Sequence, residues 1–202
     1  MRQKCNRPLR KTAGSTLIEI LVSIVLLSFG LLGMVGLQAA SMQNNREARL
    51  QSTGVRLATE LAERMRGNHA IAIKTDPTLN PYLQSSMTTA PNKASVDCRT
   101  TSCATPLHVA TWEINEWLRR VFAADGGLPG ARVVVCFDTA PYDSNGLPVW
   151  NCSGTGDIVQ IKLGWTRAST DRSRVGDEAF ERVDGASSRP SVSVPFVAGT
   201  GS

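Results

Sequence analysis

Groups that do chemistry are scarce in this chain. Its 202 residues include two histidines, His69 and His108, and neither falls in a metal spacing such as His-x-x-x-His. His69 follows Gly67-Asn68 and reads as exposed; His108 falls in the first turn of a helix. No nucleophile motif and no phosphate-binding glycine loop occurs. The chain therefore reads as a non-enzyme, with no metal, no cofactor and no small-molecule substrate. Acidic residues are missing from the first 14 positions, which hold Arg2, Lys4, Arg7, Arg10 and Lys11. Charge of either sign is missing from Ile20 to Asn45.

The lack of acids at the amino terminus removes one attractive reading. The full chain has 22 basic and 17 acidic residues and a pI near 9.2. Without residues 1–14 the balance is 17 against 17. The basicity belongs to the amino-terminal segment, so it does not argue for a nucleic-acid partner.

What is present is one carboxylate, Glu19, at the head of the uncharged run. About 20 apolar residues span a bilayer as a helix, and Ile20 to Leu37 is almost wholly apolar. A charged side chain at the bilayer centre costs about 2.5–3.5 kcal/mol on insertion scales, so an acid in such a segment is functional by default. The basic residues keep the amino terminus cytoplasmic and the remainder exported. A secretory signal peptide has a shorter apolar region, about 7–15 residues, ending at a small-x-small site. Here the run is longer, and Leu37 or Gln38 stands at the third position back from the candidate sites near Ala39 and Ala40. A plain signal anchor with an incidental Glu is the other alternative.

The stretch Gly14-Ser15-Thr16-Leu17-Ile18-Glu19, behind a basic leader and ahead of an apolar run, resembles the type IV pilin family and its prepilin leader. That resemblance implies cleavage after Gly14 by a prepilin peptidase of the inner membrane. It also implies N-methylation of the new amine on Ser15, and assembly in which Glu19 of one subunit meets the Ser15 amine of another. Ser15 departs from the family pattern, which usually has Phe there. The expected division is a cleaved leader at 1–14, a transmembrane and assembly half-helix at 15–40, and a periplasmic head at 41–202.

Cysteine usage agrees with export. Cys5 falls in the leader; Cys98, Cys103, Cys136 and Cys152 remain. Four cysteines in an exported domain read as two disulfides with three possible connectivities. Proximity in sequence favours Cys98–Cys103 with Cys136–Cys152. A zinc site fits poorly, because zinc ribbons carry tight pairs at both ends and fifteen residues lie between Cys136 and Cys152.

The rest reads as an α+β head. Leu50, Gly54, Leu57, Ala58, Leu61, Ala62 and Met65 recur at helical spacing, so one helix runs from about Thr16 to Arg66. Its first half is apolar all round, and its second half is amphipathic. Glu60 and Arg64 lie four apart on the outer side. Gly30, Gly33 and Gly36 permit close approach of other helices. Residues 68–105, with Pro77, Pro81 and Pro91, read as a long loop. Thr105-Pro106 starts a second helix, with Trp112, Trp117, Leu118, Val121 and Phe122 on its buried face. Strands are expected at 131–138, 149–152, 157–167 and 191–197, with a short one at 179–183. Pro195 marks the 191–197 strand as an edge. In the 157–167 strand, Val159, Ile161, Leu163 and Trp165 form one face and Gln160, Lys162 and Thr166 the other. Asp138, Asp143 and Asp157 read as solvated turn formers, a calcium site being the alternative.

Type IV pilins pack a long amino-terminal helix on an antiparallel sheet. Within the family, Gly30-Leu31-Leu32-Gly33, Gly36-Leu37-Gln38, and Leu61 through Asn68 resemble the PilV-type minor pilins. The Trp112–Trp117 helix, Val133-Val134-Val135-Cys136 and Leu163-Gly164-Trp165-Thr166 fit the same group. The function this implies is a minor pilin that primes or caps a pilus with other minor and major pilins. Such a subunit is held in inner-membrane lipid before assembly and lies at the cell surface after it. The alternatives are a type II secretion pseudopilin, or a pilus-tip module that binds a surface or DNA. Zero net charge after residue 14 weighs against DNA.

Overall fold

The computed structural model describes residues 16–95, 97–169, 171, 173–185 and 188–198. The chain divides between Arg46 and Glu47 into two compact units. Helix α1, Leu17–Gly67, runs through both. In the first unit it is uncharged beyond Glu19 as far as Asn45. Ser23 and Ser28 donate to the carbonyls of Glu19 and Ile24 at 2.7 Å, so the helix backbone takes up its own hydroxyls.

In the second unit the helical period does its packing. Gly54, Leu57, Ala58, Leu61, Ala62 and Met65 are the buried residues of α1. They share one core with α3, Pro106–Val121, and with the inner face of a sheet. Thr105 caps α3 by accepting from the His108 N–H at 3.2 Å, and Pro106 opens its first turn. Trp117, Leu118 and Val121 are buried there as expected, whereas Trp112 is only half-buried. The Trp117 indole N–H donates to the Leu57 carbonyl at 2.8 Å, fixing α3 to α1. At Gly54 an added Cβ would lie 2.8 Å from the Trp165 ring. The glycine is the socket for that indole.

The sheet has four strands, β1 Gln84–Met87, β2 Arg132–Phe137, β3 Ile158–Gly164 and β6 Val192–Val197. They lie side by side in the order β1-β2-β3-β6, each antiparallel to its neighbour. Val133 stands opposite Leu163, Val135 opposite Ile161 and Phe137 opposite Val159, which puts six apolar side chains on the inner face. Pro195 lies in an edge strand opposite Gln160, where a missing N–H costs no ladder bond.

Several expectations need correction. Residues 68–105 are not all loop: they contain a short helix α2, His69–Ala72, and the edge strand β1. Residues 149–152 form no strand; an isolated bridge joins Tyr142 and Pro148 instead. Strand β3 stops at Gly164. Beyond it a separate ribbon pairs β4, Arg167–Ala168, with β5, Phe180–Glu181. The second face of β3 is not solvated, since Gln160 and Lys162 are buried beside Val159 and Ile161.

Candidate functional site

Among the described residues, two places set a charged group in apolar surroundings. The first is the start of α1. The Thr16 carbonyl accepts from the Glu19 and Ile20 N–H groups at 3.0 and 3.3 Å, which opens the helix. Glu19 thus lies in the first turn, where the helix dipole favours an anion. From Leu17 to Leu37 fifteen large apolar side chains are each more than half exposed. An apolar surface of this extent calls for lipid or other helices. The helix is long and apolar enough to cross a membrane. Gly14 and Ser15, the expected cleavage positions, lie outside the described residues.

The second is the outer face of the sheet. Lys162 points away from the α1–α3 core, yet its side chain is 0% exposed and that of its partner Asp138 is 1% exposed. The ammonium donates to Asp138 Oδ2 at 2.6 Å and to the Asn151 carbonyl at 2.7 Å. Asp138 Oδ1 accepts from the N–H groups of Ala140 and Ser153. Burial pushes the Asp138 carboxyl up, but the bonds from Lys162, Ala140 and Ser153 outweigh it and hold it below the usual carboxylate range. Val134, opposite Lys162 in the ladder, belongs to a second small core with Trp150 and Val183, joined by Cys136 and Cys152. Gly164 makes room for it, since a Cβ there would come within 2.9 Å of both Trp150 and Val183. Arg132 lies 4.5 Å over the Trp150 ring. Asp138 is therefore no solvated turn former.

The disulfides are Cys98–Cys103, with Cα atoms 5.4 Å apart, and Cys136–Cys152, at 6.2 Å. This is the pairing that sequence proximity favoured. Cys136, Asp138 and Cys152 place ligand-type atoms within 4.8 Å of one another. The sulfurs, however, are bonded to each other, and the carboxylate holds the Lys162 ammonium. The Cys98–Cys103 loop is pinned to α3, where Arg99 pairs with Glu116 at 2.9 Å and lies 5.6 Å over Trp112. Asn115 brackets the chain ahead of it, donating to the Asn92 carbonyl at 2.7 Å and accepting from the Ala94 N–H at 3.1 Å.

A cleft of about 640 Å³ lies between the end of α1, the start of α3 and residues 103–105. Glu60 takes bonds from Arg64 and Arg120, each at 2.9 Å. Burial pushes the Glu60 carboxyl up, and those guanidinium bonds pull it below the usual range. The buried Tyr82 hydroxyl donates to Glu113. Burial, then the Glu113 bond and charge, push the phenol well above its usual value, so Tyr82 stays protonated. Glu63 pairs with Arg66. The cleft is thus a neutralised lattice, and its carboxylates hold guanidinium and phenol groups of the protein itself.

Comparison with family models, with curated proteins and with solved structures gave no match. The sites rest on the residues themselves. Sequence reasoning gave the disulfide pairing and the place of Glu19 at the head of α1 but missed the Lys162–Asp138 pair. The available signal was a lysine midway along a strand of Val, Ile and Leu, with an acid directly after the partner strand.

Proposed function

We propose that this chain is a structural subunit of a type IV pilus, a minor pilin that primes or caps the fibre together with other minor and major pilins. The observation that carries this reading is the contrast within α1. A first-turn carboxylate heads a long exposed uncharged stretch, and the same helix continues as one wall of an α+β core. A prepilin peptidase removes residues 1–14. Inner-membrane lipid covers the half-helix of residues 15–40 before assembly, with the head on the periplasmic side, and neighbouring helices cover it in the fibre. There Glu19 of one subunit meets the Ser15 amine of another. This pairing relieves the cost of leaving either charge alone in an apolar bundle, about 3–5 kcal/mol. No catalytic or ligand-binding role is part of this reading.

The test combines processing with incorporation. Amino-terminal sequencing should find Ser15, and Gly14→Val should leave residues 1–14 in place. Glu19→Gln and Glu19→Ala should both be cleaved and carry a folded head, yet be depleted from sheared pili. A mature start at Met1 or near Ser41 would remove the leader reading. Glu19→Gln found in pili at the normal ratio would remove the charge-pairing mechanism.

A further inference from the structure

Both oxygens that receive the buried ammonium belong to one closed loop. Asp138 is two residues past Cys136, and Asn151 is one residue before Cys152. Their disulfide therefore holds together the two ends of the segment that carries the acceptors. Across the same neck the Ser153 N–H reaches Asp138 Oδ1 at 3.2 Å. Within the segment, Trp150 forms a buried cluster with Val134 and Val183. All of this lies on the face of the sheet opposite the α1–α3 core, in a separate buried cluster. A fully buried charge needs its complete set of partners at once, and an unlinked segment of this length loses chain entropy on closing.

We propose that the Cys136–Cys152 disulfide is a redox latch on Lys162. With the sulfurs joined, the ammonium is sealed beneath residues 138–153. With them reduced, that segment opens and Lys162 becomes a reactive surface amine, while the α1–α3 core stays folded. Closure is an ordinary thiol–disulfide exchange. The two cysteine thiols lose two electrons and two protons to a disulfide-bearing oxidant, which leaves as two thiols. The latch does not depend on the pilin reading, because it follows from the loop alone.

The experiment is amine acetylation of the full chain in detergent micelles, with each lysine read by peptide mass spectrometry. Exposed Lys74 and Lys93 serve as internal references. In the oxidised wild type Lys162 should resist while the references react. In C136A/C152A its rate should rise about 100-fold, the factor that closing a loop of this length implies. In C98A/C103A it should stay at the wild-type rate. Dithiothreitol should expose Lys162 in the wild type, and glutathione disulfide should restore protection. Amide exchange in α3 should remain slow in every sample. The proposal is overturned if Lys162 stays protected in C136A/C152A or becomes equally reactive in C98A/C103A. It is also overturned if α3 loses protection together with Lys162, because the event would then be global unfolding.

Discussion

One helix carries two glycine environments. At Gly30, Gly33 and Gly36 an added Cβ would meet nothing within 4 Å, whereas at Gly54 it would strike the Trp165 ring at 2.8 Å. The same residue type is thus an open surface in one stretch of α1 and a filled socket in the other. The apolar side chains divide in the same way. Leu26 and Leu27 are 66% and 65% exposed, and Leu57 and Leu61 are 2% and 0%. Hydrophobicity alone does not decide which stretch builds the head. What decides is period: residues 54–65 present one apolar face for α3 and the sheet, and residues 20–37 are almost wholly apolar on every side.

The largest expected effect tests whether the two stretches are energetically independent. Trp117→Ala removes a fully buried indole and its bond to Leu57. It should destabilise the head by about 3–5 kcal/mol, while Leu26→Ala should leave head stability within about 0.5 kcal/mol. Urea titration of the full chain in detergent checks both, and equal losses would break the comparison. Next comes the glycine contrast. Gly54→Val forces the Trp165 ring to move and should cost about 1–3 kcal/mol by overpacking. Gly33→Val should leave the same unfolding midpoint unchanged.

Acid titration separates the stretches by charge. The Asp138 carboxyl is held below its ordinary value of 3.8 in the folded head, so the unfolded chain binds the proton more readily. The stability this contributes is present above pH 3.8 and is lost as pH falls through the lower folded value. Glu60 acts with the same sign. Thermal midpoints of the head should hold between about pH 5 and 7 and drop below about pH 4. A midpoint that rose on acidification would contradict the buried pair. The smallest effect is Glu60→Gln. Its side chain and those of Arg64 and Arg120 are 27%, 24% and 43% exposed, so solvent screens the bridge. The loss should be at most about 1 kcal/mol, visible as a small midpoint shift in the same titration.

The sequence disclosed whatever depended on local periodicity. The 54–65 face of α1, the Thr105 cap, the alternating inner face of β3 and the Pro195 edge all follow from residues a few positions apart. Both disulfides fell to short separation. The candidate assembly residue Glu19 was legible because a carboxylate at the head of an apolar run is costly to bury unless something pairs with it. Strand β1 was not legible: Gln84-Ser85-Ser86-Met87 lacks β-branched residues, and only its pairing with Val133 and Val135 makes it a strand. The burial of Lys162 was hidden for a different reason. A polar alternate face reads the same whether water or protein covers it, and here the groups that hold the ammonium, Asp138 and the Asn151 carbonyl, come from a segment distant in sequence.

The order of the chain adds a consequence in time. The Leu57–Met65 stripe is made early, but its partners extend to Phe196 and Ala198. At roughly 5–20 residues per second of synthesis, the stripe waits on the order of ten seconds before its last strand exists. In the last part of that wait, after β3 is made and before β6 exists, the edge of β3 has no β6 beside it and is open to any other extended chain. A nascent chain halted before Val192 would hold every helix of the head and still present a sticky, half-built sheet. Its keeping therefore depends on whatever shields it between synthesis and the arrival of β6.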